Sequence, residues 1–426
     1  MEEPGRPARA RRTVLRRGFH YRRVRGRLRV KIVRKNAVWT IIAGDIPGPS
    51  RLIFTGSDLG SVSRKQAGDL VRLTFLDSIR GLAAFVVLTA HLNFATDGHA
   101  WFLDLWVLRT FRASVFAVSL FFVLSGFVLF LQVENDRINY VRFVIRRAFR
   151  ILPACAVVVT ISYLIYVTWT PLPATRSEFL TSNTWPPGIF LPEYFNHLWL
   201  GGSTDLLRPI WSLIVEWRVS LVFPLLVLLF RWSRAALAVL AIPIIAIATH
   251  TAALDFATAT MVAFYACFFV LGMFIAAYRF RIILFLSSNR WLRVLLVAIC
   301  IYYVWFRSES ATATGYLQEG LLSGAFIILC MSTPWARQLL RSPPLRYLGR
   351  ISYSLYLVHM VCIGILFRVL PDANPLATAG LVIIVSIAAA DLLNRFVEIP
   401  ANRLGRRVAG LGLATGERGV TAVSAP

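Results

Sequence analysis

Two residues of one apolar stretch, Arg80 and His91, carry side chains that could bind an anion and move a proton. They are eleven positions apart, and in an α-helix eleven steps turn the chain by about 1100°, roughly 20° from alignment, with a rise of about 16.5 Å. Both side chains therefore face the same way, about half a bilayer apart. An imidazole inside a membrane either bonds neighbouring helices or acts as a general base, and Arg80 on the same face leaves both interpretations open.

A carboxylate and a row of hydroxyl groups are further candidates for chemistry. Ser212 and Glu216 are four residues apart, which places them on one helical face. A carboxylate in hydrocarbon needs a cation, a histidine or a water-filled cavity, so Glu216 is predicted either to form a structural ion pair or to orient a catalytic histidine. Tyr353, Tyr356 and His359 follow at three-residue spacing and form a polar stripe, which could line a substrate site or bond neighbouring helices.

An arginine cluster occurs in the segment RRAFRILP, which contains Arg146, Arg147 and Arg150. Arginines at the cytoplasmic edge of a membrane usually set topology, but guanidinium groups also bind phosphates in a bidentate way. Metal and disulfide chemistry are not predicted, because the five cysteines lie in different apolar runs without a CxxC motif or a cysteine and histidine cluster.

Membrane-spanning helices are the elements that must position these residues. The chain of 426 residues is 57% hydrophobic and only 16% charged, which excludes an ordinary soluble enzyme. It is predicted to be an all-α, polytopic membrane protein with about ten transmembrane helices. The apolar runs cover residues 80–96, 113–133, 152–170, 211–230, 234–250, 259–278, 291–306, 316–333, 350–370 and 376–396. Because arginines collect in the N-terminal segment and in alternate connections, both termini are predicted to be cytoplasmic.

The remaining segments are predicted to lie outside the membrane. Residues 1–72 contain 18 basic and five acidic residues and are predicted to be a largely disordered cytoplasmic tail. This tail could lie on anionic lipid. Specific binding of nucleic acid is not predicted, because the sequence lacks an RNA-binding motif of aromatic and basic residues. The membrane domain would cover residues 73–408, followed by a flexible tail at 409–426. The outward connection 171–209, rich in proline and aromatic residues, would be either functional or an interfacial anchor.

Six segments, in order along the chain, resemble signatures of the acyltransferase-3 family of integral-membrane proteins. They are LDSIRGLAAFVVLTAH, FFVLSGFVL, RRAFRILP, WSLIVEW, LGRISYSLYLVH and VEIPANRL, and the resemblance runs from about Phe75 to Leu404. Members of this family move acyl groups from acyl-coenzyme A to hydroxyls of sugars and related acceptors. After WSLIVE the family usually has an aromatic pair, whereas this chain has Arg218, Val219 and Ser220, which would change the shape of the pocket.

The resemblance implies a role for each candidate residue. His91 would be the general base for the acceptor hydroxyl, and Glu216 would hold its imidazole in the required tautomer. Donor phosphates would stay on the cytoplasmic side, near Arg80, Arg146, Arg147 and Arg150. The substrate pocket would contain Asp77, Ser125, Trp211, Ser212, Tyr353, Tyr356 and His359. No bound cofactor or metal is implied, since acyl-coenzyme A, most often acetyl-coenzyme A, is a co-substrate.

The resemblance also implies partners and a location. The acceptor would be a sugar, a polysaccharide or a glycosylated small molecule, and the protein would lie in the inner (plasma) membrane of a bacterium. If coenzyme A docks inside and the acceptor enters from outside, below residues 171–209, acylation crosses the membrane. In the alternative function, a transporter or flippase of a glycolipid or anionic substrate, the same ionisable residues would line a pathway and no thioester would be consumed.

Overall fold

A computed structural model of the chain divides into two compact units, Met1–Leu73 and Thr74–Pro426. It describes residues 20–21, 30–35, 38–43, 51–55, 74–97, 110, 113–134, 139–170, 172–173, 175, 177–186, 188–250, 258–306 and 312–418. The first unit contains a small sheet and the second a set of membrane helices.

Four antiparallel strands lie among the described residues of the first unit, in the spatial order β1-β2-β3-β4. They are β1 His20–Tyr21, β2 Val30–Lys35, β3 Val38–Ala43 and β4 Arg51–Thr55. The sequence predicts a largely disordered tail over residues 1–72, whereas the described residues of this unit form strands. Valine and isoleucine are frequent in β2 and β3, and their branched side chains favour strands, so a high positive charge does not by itself exclude a sheet.

The second unit is helical, which confirms the all-α, polytopic membrane fold. Its helices are α1 Thr74–Ala95, α2 Ser114–Val133, α3 Tyr140–Trp169, α4 Glu178–Asn183, α5 Leu191–Leu198, α6 Ile210–Trp232, α7 Arg234–His250, α8 Ala259–Ser288, α9 Arg290–Phe306, α10 Ala313–Ser332, α11 Pro334–Leu340, α12 Pro343–Val369, α13 Pro375–Leu393 and α14 Ile399–Arg418. Each of the ten predicted apolar runs overlaps one of these helices.

Eight helical segments in the described part of the chain are long and apolar enough to cross a membrane. The two other predicted runs form α7 and α9, which have 17 residues each and fall at the lower limit of about 17–25 residues for a span. The predicted number of about ten therefore divides into eight clear spans and two shorter apolar helices.

A π-helix, Asn394–Glu398, joins α13 to α14 and fastens both to α12. Asn394 Nδ2 donates hydrogen bonds to Arg350 O at 3.2 Å and to Glu398 Oε2 at 2.9 Å, and Ser354 Oγ donates to Glu398 Oε2 at 2.9 Å. The helix then continues to Arg418, where the sequence predicts a flexible tail from residue 409.

Two glycines allow α1 and α12 to cross with their backbones in direct contact. A Cβ atom added to Gly81 would collide with the backbone of Gly349, and one added to Gly349 would collide with the backbone of Asp77. Small residues at such crossings let helix backbones approach closely. This crossing brings Arg80 on α1 and Tyr353 on α12 to the same cavity.

Replacing Gly81 with alanine should destabilise the protein by about 1–3 kcal/mol, because the new methyl group overpacks a contact made of backbone atoms that cannot rotate away. Thermal unfolding in detergent would measure the loss. Gly380→Ala is the matched control, since a Cβ there meets no atom within 4 Å and helix propensity favours alanine over glycine by about 1 kcal/mol. Equal unfolding temperatures for the two variants would contradict the tight crossing.

The predicted outward connection contains two short helices, α4 and α5, and part of it is anchored to the spans. The buried Trp185 donates from Nε1 to Ser162 Oγ at 2.7 Å, and Ser162 Oγ donates to Leu206 O at 2.6 Å. The guanidinium of Arg368, at the end of α12, lies 5.3 Å from the centre of the Trp185 ring. These contacts hold the connection against α3 and α12.

His197 on α5 should make the stability of this connection depend on pH. The residue is buried; its Nδ1 donates to Glu193 O at 2.7 Å and its Nε2 accepts from Leu206 N at 3.2 Å, so the ring is neutral. Burial lowers the pKa of His197, and the nearby Glu193 and Asp205 offset this only in part. As the pH falls through the ordinary value of about 6.5, the unfolded chain binds the proton first, so stability present at higher pH is lost.

The pH dependence can be measured from unfolding temperatures in detergent at pH 8 and pH 5.5. We expect a lower value at pH 5.5 for the natural protein and a smaller difference for His197→Gln, which cannot titrate. An unchanged difference in the variant would assign the pH dependence to other groups.

Candidate functional site

A cavity lies among α1, α2, α3, α6 and α12, and the empty space in it and at its open mouth amounts to about 570 Å³. Its lining consists of Arg80, Phe121, Phe122, Ser125, Arg150, Ile151, Ser212, Leu213, Glu216, Ser352, Tyr353 and Tyr356. The structure therefore brings together residues from five helices that are separated by as many as 276 positions along the chain. The predicted site residues that line this cavity are Arg80, Ser125, Arg150, Ser212, Glu216, Tyr353 and Tyr356.

Glu216 forms an ion pair with Arg147 of α3. Its Oε1 accepts hydrogen bonds from the Arg147 guanidinium and from Ser125 Oγ, the latter at 3.1 Å. Arg147 is buried and its Nε also donates to Ser220 Oγ at 2.9 Å. A guanidinium is a stronger partner for a buried carboxylate than a neutral imidazole, because it supplies both a positive charge and directed hydrogen-bond donors.

This pairing corrects two expectations from the sequence. Within the described residues no hydrogen bond joins Glu216 to His91, so the carboxylate does not hold the imidazole in this structure. Arg147 in turn is engaged by Glu216, so it is not available for donor phosphates in this structure. Of the two interpretations of Glu216, the ion pair is the one that the geometry supports.

The other three arginines differ in their environment. Arg80 Nη1 lies 3.8 Å from Asp77 Oδ1, but the Asp77 side chain is 63% exposed and does not line the cavity. Arg150 lines the cavity and makes no hydrogen bond or ion pair with another described residue. Arg146 is exposed and outside the cavity lining, since it lies one helical turn closer to the N-terminus of α3. Two guanidinium groups, those of Arg80 and Arg150, therefore face the cavity.

The hydroxyl groups of the polar stripe bind neighbouring helices from within the cavity wall. Tyr356 OH donates to Pro209 O at 3.0 Å and lies 2.7 Å from Ser212 Oγ. Tyr353 OH donates to Ile151 O at 2.6 Å. The tyrosine rings therefore line the cavity while their hydroxyls join α12 to α3 and α6.

His91 and His359 lie together beyond Tyr356 and are not among the cavity-lining residues. The ring centres of His359 and Tyr356 are 5.7 Å apart, and His359 Nε2 lies 3.3 Å from His91 Nδ1. His91 Nδ1 is also 2.9 Å from Val87 O, which can only accept, so Nδ1 carries the proton and Nε2 keeps its lone pair. Val87 thus supplies the tautomer that the sequence assigned to Glu216.

The two histidines have different exposure. His91 is partly exposed and packs against Phe94 and against Phe179 of α4, with ring centres 6.4 and 5.9 Å apart. His359 is fully buried. In the described part of the chain no three His, Cys, Asp or Glu residues are grouped as a metal site would require. His91 is therefore the more accessible imidazole of the pair.

Sequence reasoning missed the apolar part of the lining. Phe121 and Phe122 lie four and three residues before Ser125, so the same helical spacing that selects Ser125 could have found them. Trp211, predicted in the pocket, instead packs behind the wall, with its ring centre 6.3 Å from that of Phe122 and 5.6 Å from that of Tyr265. The cavity therefore combines an aromatic wall with a polar, positively charged side.

Comparisons with known proteins agree with the fold and with the motifs. The family described as acyltransferase domain matches residues 73–395. The peptidoglycan O-acetyltransferase of Listeria monocytogenes is 24% identical over 373 residues, which cover 78% of this chain and 56% of that protein. A Bacillus subtilis protein named "Putative peptidoglycan O-acetyltransferase" is 26% identical over 376 residues, covering 78% and 55%. The chain thus spans little more than half the length of these relatives, and no solved structure matches it.

Proposed function

The chain belongs to the acyltransferase domain family, and we propose that it is a membrane O-acyltransferase that moves an acyl group, by default acetyl, from acyl-coenzyme A to a sugar hydroxyl. Both relatives are named for O-acetyl transfer to peptidoglycan, so our proposed acceptor is a polysaccharide of the cell envelope. One observation supports the proposal: two guanidinium groups face a cavity whose wall residue Tyr356 packs against His359, the ring that pairs with His91.

The positive side of the cavity suits an anionic donor. Glu216 is the one carboxylate among the lining residues, and it is engaged by Arg147. Arg80 and Arg150 would therefore attract the phosphates of acyl-coenzyme A to the mouth of the cavity, where guanidinium groups can bind them in a bidentate way. The aromatic wall of Phe121 and Phe122 would surround the acyl and pantetheine part.

His91 would provide general base catalysis. Its Nε2 takes the proton of the acceptor hydroxyl while the hydroxyl oxygen bonds to the thioester carbonyl carbon, which gives a tetrahedral intermediate. The carbon–sulfur bond then breaks, the carbonyl reforms, and the proton on Nε2 passes to the departing thiolate of coenzyme A. The products are the acetyl ester and free coenzyme A, with the imidazole neutral again.

The cytoplasm would be the source of the donor. The arginine-rich connections support cytoplasmic termini, with the inner membrane as the proposed location. In that orientation Arg80 would lie near the inner face, with His91 farther along the same helix. Phe179 of α4, in the predicted outward connection, packs on His91. The acceptor would therefore enter from the outer side, and the acyl group would cross the membrane.

Thiol release tests the function directly. Purified protein in vesicles would be given acetyl-coenzyme A with and without peptidoglycan fragments or simpler sugars, and free thiol and acetylated product would be measured together. We expect thiol release in proportion to product. A transporter or flippase would leave the thioester intact, so transport of glycolipid without thiol release would overturn the proposal in favour of that alternative.

A second arrangement tests the sidedness. In sealed inverted vesicles the cytoplasmic face is outside, so acetyl-coenzyme A is added outside and an impermeant acceptor is trapped inside. We expect labelled product in the lumen only. Product that forms only when the acceptor is also outside would mean that transfer takes place on the cytoplasmic face.

A further inference from the structure

We propose that His359 is a positioning residue that holds the imidazole of His91 and accepts its Nδ1 proton when Nε2 takes the proton of the acceptor. The inference deepens the proposed function and depends on it for the catalytic part. The pairing itself is a feature of the structure that can be measured without turnover.

The two rings are in contact along one edge. His359 Nε2 lies 3.3 Å from His91 Nδ1, and the ring centres are 5.1 Å apart with the planes inclined by 37°. His359 is fully buried on α12, whereas His91 on α1 is partly exposed. The ring of His359 is thus shielded from solvent, while the ring of His91 is partly accessible.

The hydrogen bonds define the tautomers of both rings. His91 Nδ1 donates to Val87 O, so the facing Nε2 of His359 cannot also carry a proton and must be the acceptor. The proton of His359 is then on its other ring nitrogen, Nδ1. That nitrogen is buried and makes no hydrogen bond of good geometry with a described residue.

An incompletely satisfied buried polar group in a native structure calls for an explanation. A hydrophobic residue at position 359 would fill the space without the orphaned Nδ1. A basic nitrogen close to His91 Nδ1 is what the histidine supplies, and the proton on Nδ1 becomes more acidic when His91 is protonated.

The proton transfer balances without any further reactant. Once His91 Nε2 has taken the proton of the acceptor hydroxyl, the His91 Nδ1–H bond breaks and a new bond forms between that proton and His359 Nε2. Both ring nitrogens of His359 then carry a proton, and the positive charge lies on that ring. When the thiolate takes the proton from His91 Nε2, His359 returns its proton to His91 Nδ1, and both rings are neutral as before.

The surroundings give the positive charge few other means of stabilisation. The rings around the pair are those of Phe94, Phe179 and Tyr356, from α1, α4 and α12. No carboxylate or guanidinium group forms a hydrogen bond or an ion pair with either imidazole in the described part of the chain. Since an isolated charge is costly in an apolar environment, sharing it over two rings is the available way to stabilise it.

Two substitutions separate proton acceptance from hydrogen-bond geometry. In His359→Gln the amide oxygen can still accept from His91 Nδ1 but cannot take its proton, whereas His359→Phe removes the acceptor and keeps a ring. Cys362→Ala is the control, because Cys362 is buried three residues farther along α12 and, in the described part of the chain, forms no hydrogen bond with either imidazole. Each variant is compared only when it elutes as the natural protein does.

Kinetics and ¹⁵N-histidine NMR then test the proposal. For His359→Gln we expect kcat to fall about tenfold or more, as for other residues that orient a catalytic group, with KM for acetyl-coenzyme A nearly unchanged. The His91 signals should still report a protonated Nδ1. For His359→Phe we expect a larger loss of kcat and shifted His91 signals, with Nδ1 still protonated because it also donates to Val87 O, and for Cys362→Ala no change.

Natural kcat in both His359 variants, with unchanged His91 signals, would overturn the proposal. Loss of activity in His359→Phe with full activity in His359→Gln would overturn proton acceptance and leave only hydrogen-bond positioning. A failure of the proposed function is distinguishable, because the natural protein would then release no thiol even if the NMR signals of the His pair respond to substitution.

Discussion

Replacing His91 with glutamine should reduce acetyl transfer by about 10²–10⁴-fold, the contribution of a positioned general base. A sugar hydroxyl is a weak nucleophile until its proton is removed in the transition state, and no other imidazole in the described site has an approachable lone pair. The loss should fall on kcat, because the guanidinium groups proposed to bind the donor are not altered. Thiol release and acetylated product, measured over a range of acetyl-coenzyme A concentrations, would show this division.

The control for His91→Gln is the same substitution at His20, which lies in the first unit outside the acyltransferase domain match. We expect His20→Gln to retain natural activity. If His91→Gln also retained activity while folding normally, His91 would not be the base, and the mechanism would have to start from another group. A rise in KM with unchanged kcat would instead assign His91 to substrate binding.

Neutralising Glu216 should destabilise the protein by about 3–5 kcal/mol, the typical result of leaving one buried charge without its partner. Glu216→Gln preserves the shape of the side chain but removes the charge that Arg147 and Ser125 contact. The Arg147 side chain is only 7% exposed, so water cannot replace the lost carboxylate. Chemical or thermal unfolding in detergent would measure the effect, with transfer activity measured in parallel on the folded fraction.

The double variant Arg147→Met, Glu216→Leu distinguishes a structural role from a catalytic one. Removing both charges should restore most of the stability, because apolar residues of similar volume often replace a buried ion pair without loss. If Glu216 has only the structural role, activity should recover along with stability. A stable double variant without activity would show that the carboxylate also takes part in transfer, and additive losses of stability would contradict the pairing of Arg147 with Glu216.

Much of the fold and many site residues follow from the sequence. The ten apolar runs all become helices, because a bilayer of about 30 Å demands a fixed length of apolar chain and that length is visible in any window of the sequence. Arg80 and His91 are also found without a structure, because an ionisable group inside a span is costly and therefore conspicuous. The strands between His20 and Thr55 are not predicted from the sequence. The high positive charge of this segment indicates disorder, whereas the β-branched residues of the same segment favour strands.

The partners of these groups were decided only by the tertiary structure. Helical periodicity tells which side chains share a face, but it does not tell which helix that face meets. Glu216 could have met His91 or Arg147, and the packing of α6 against α3 selected the arginine. Likewise the crossing of α1 and α12 at Gly81 and Gly349 brought His359 to His91 across 268 positions of chain. The sequence by itself therefore determined the helices and the chemical groups, whereas the packing of helices, which depends on shape and not on spacing along the chain, determined which groups act together.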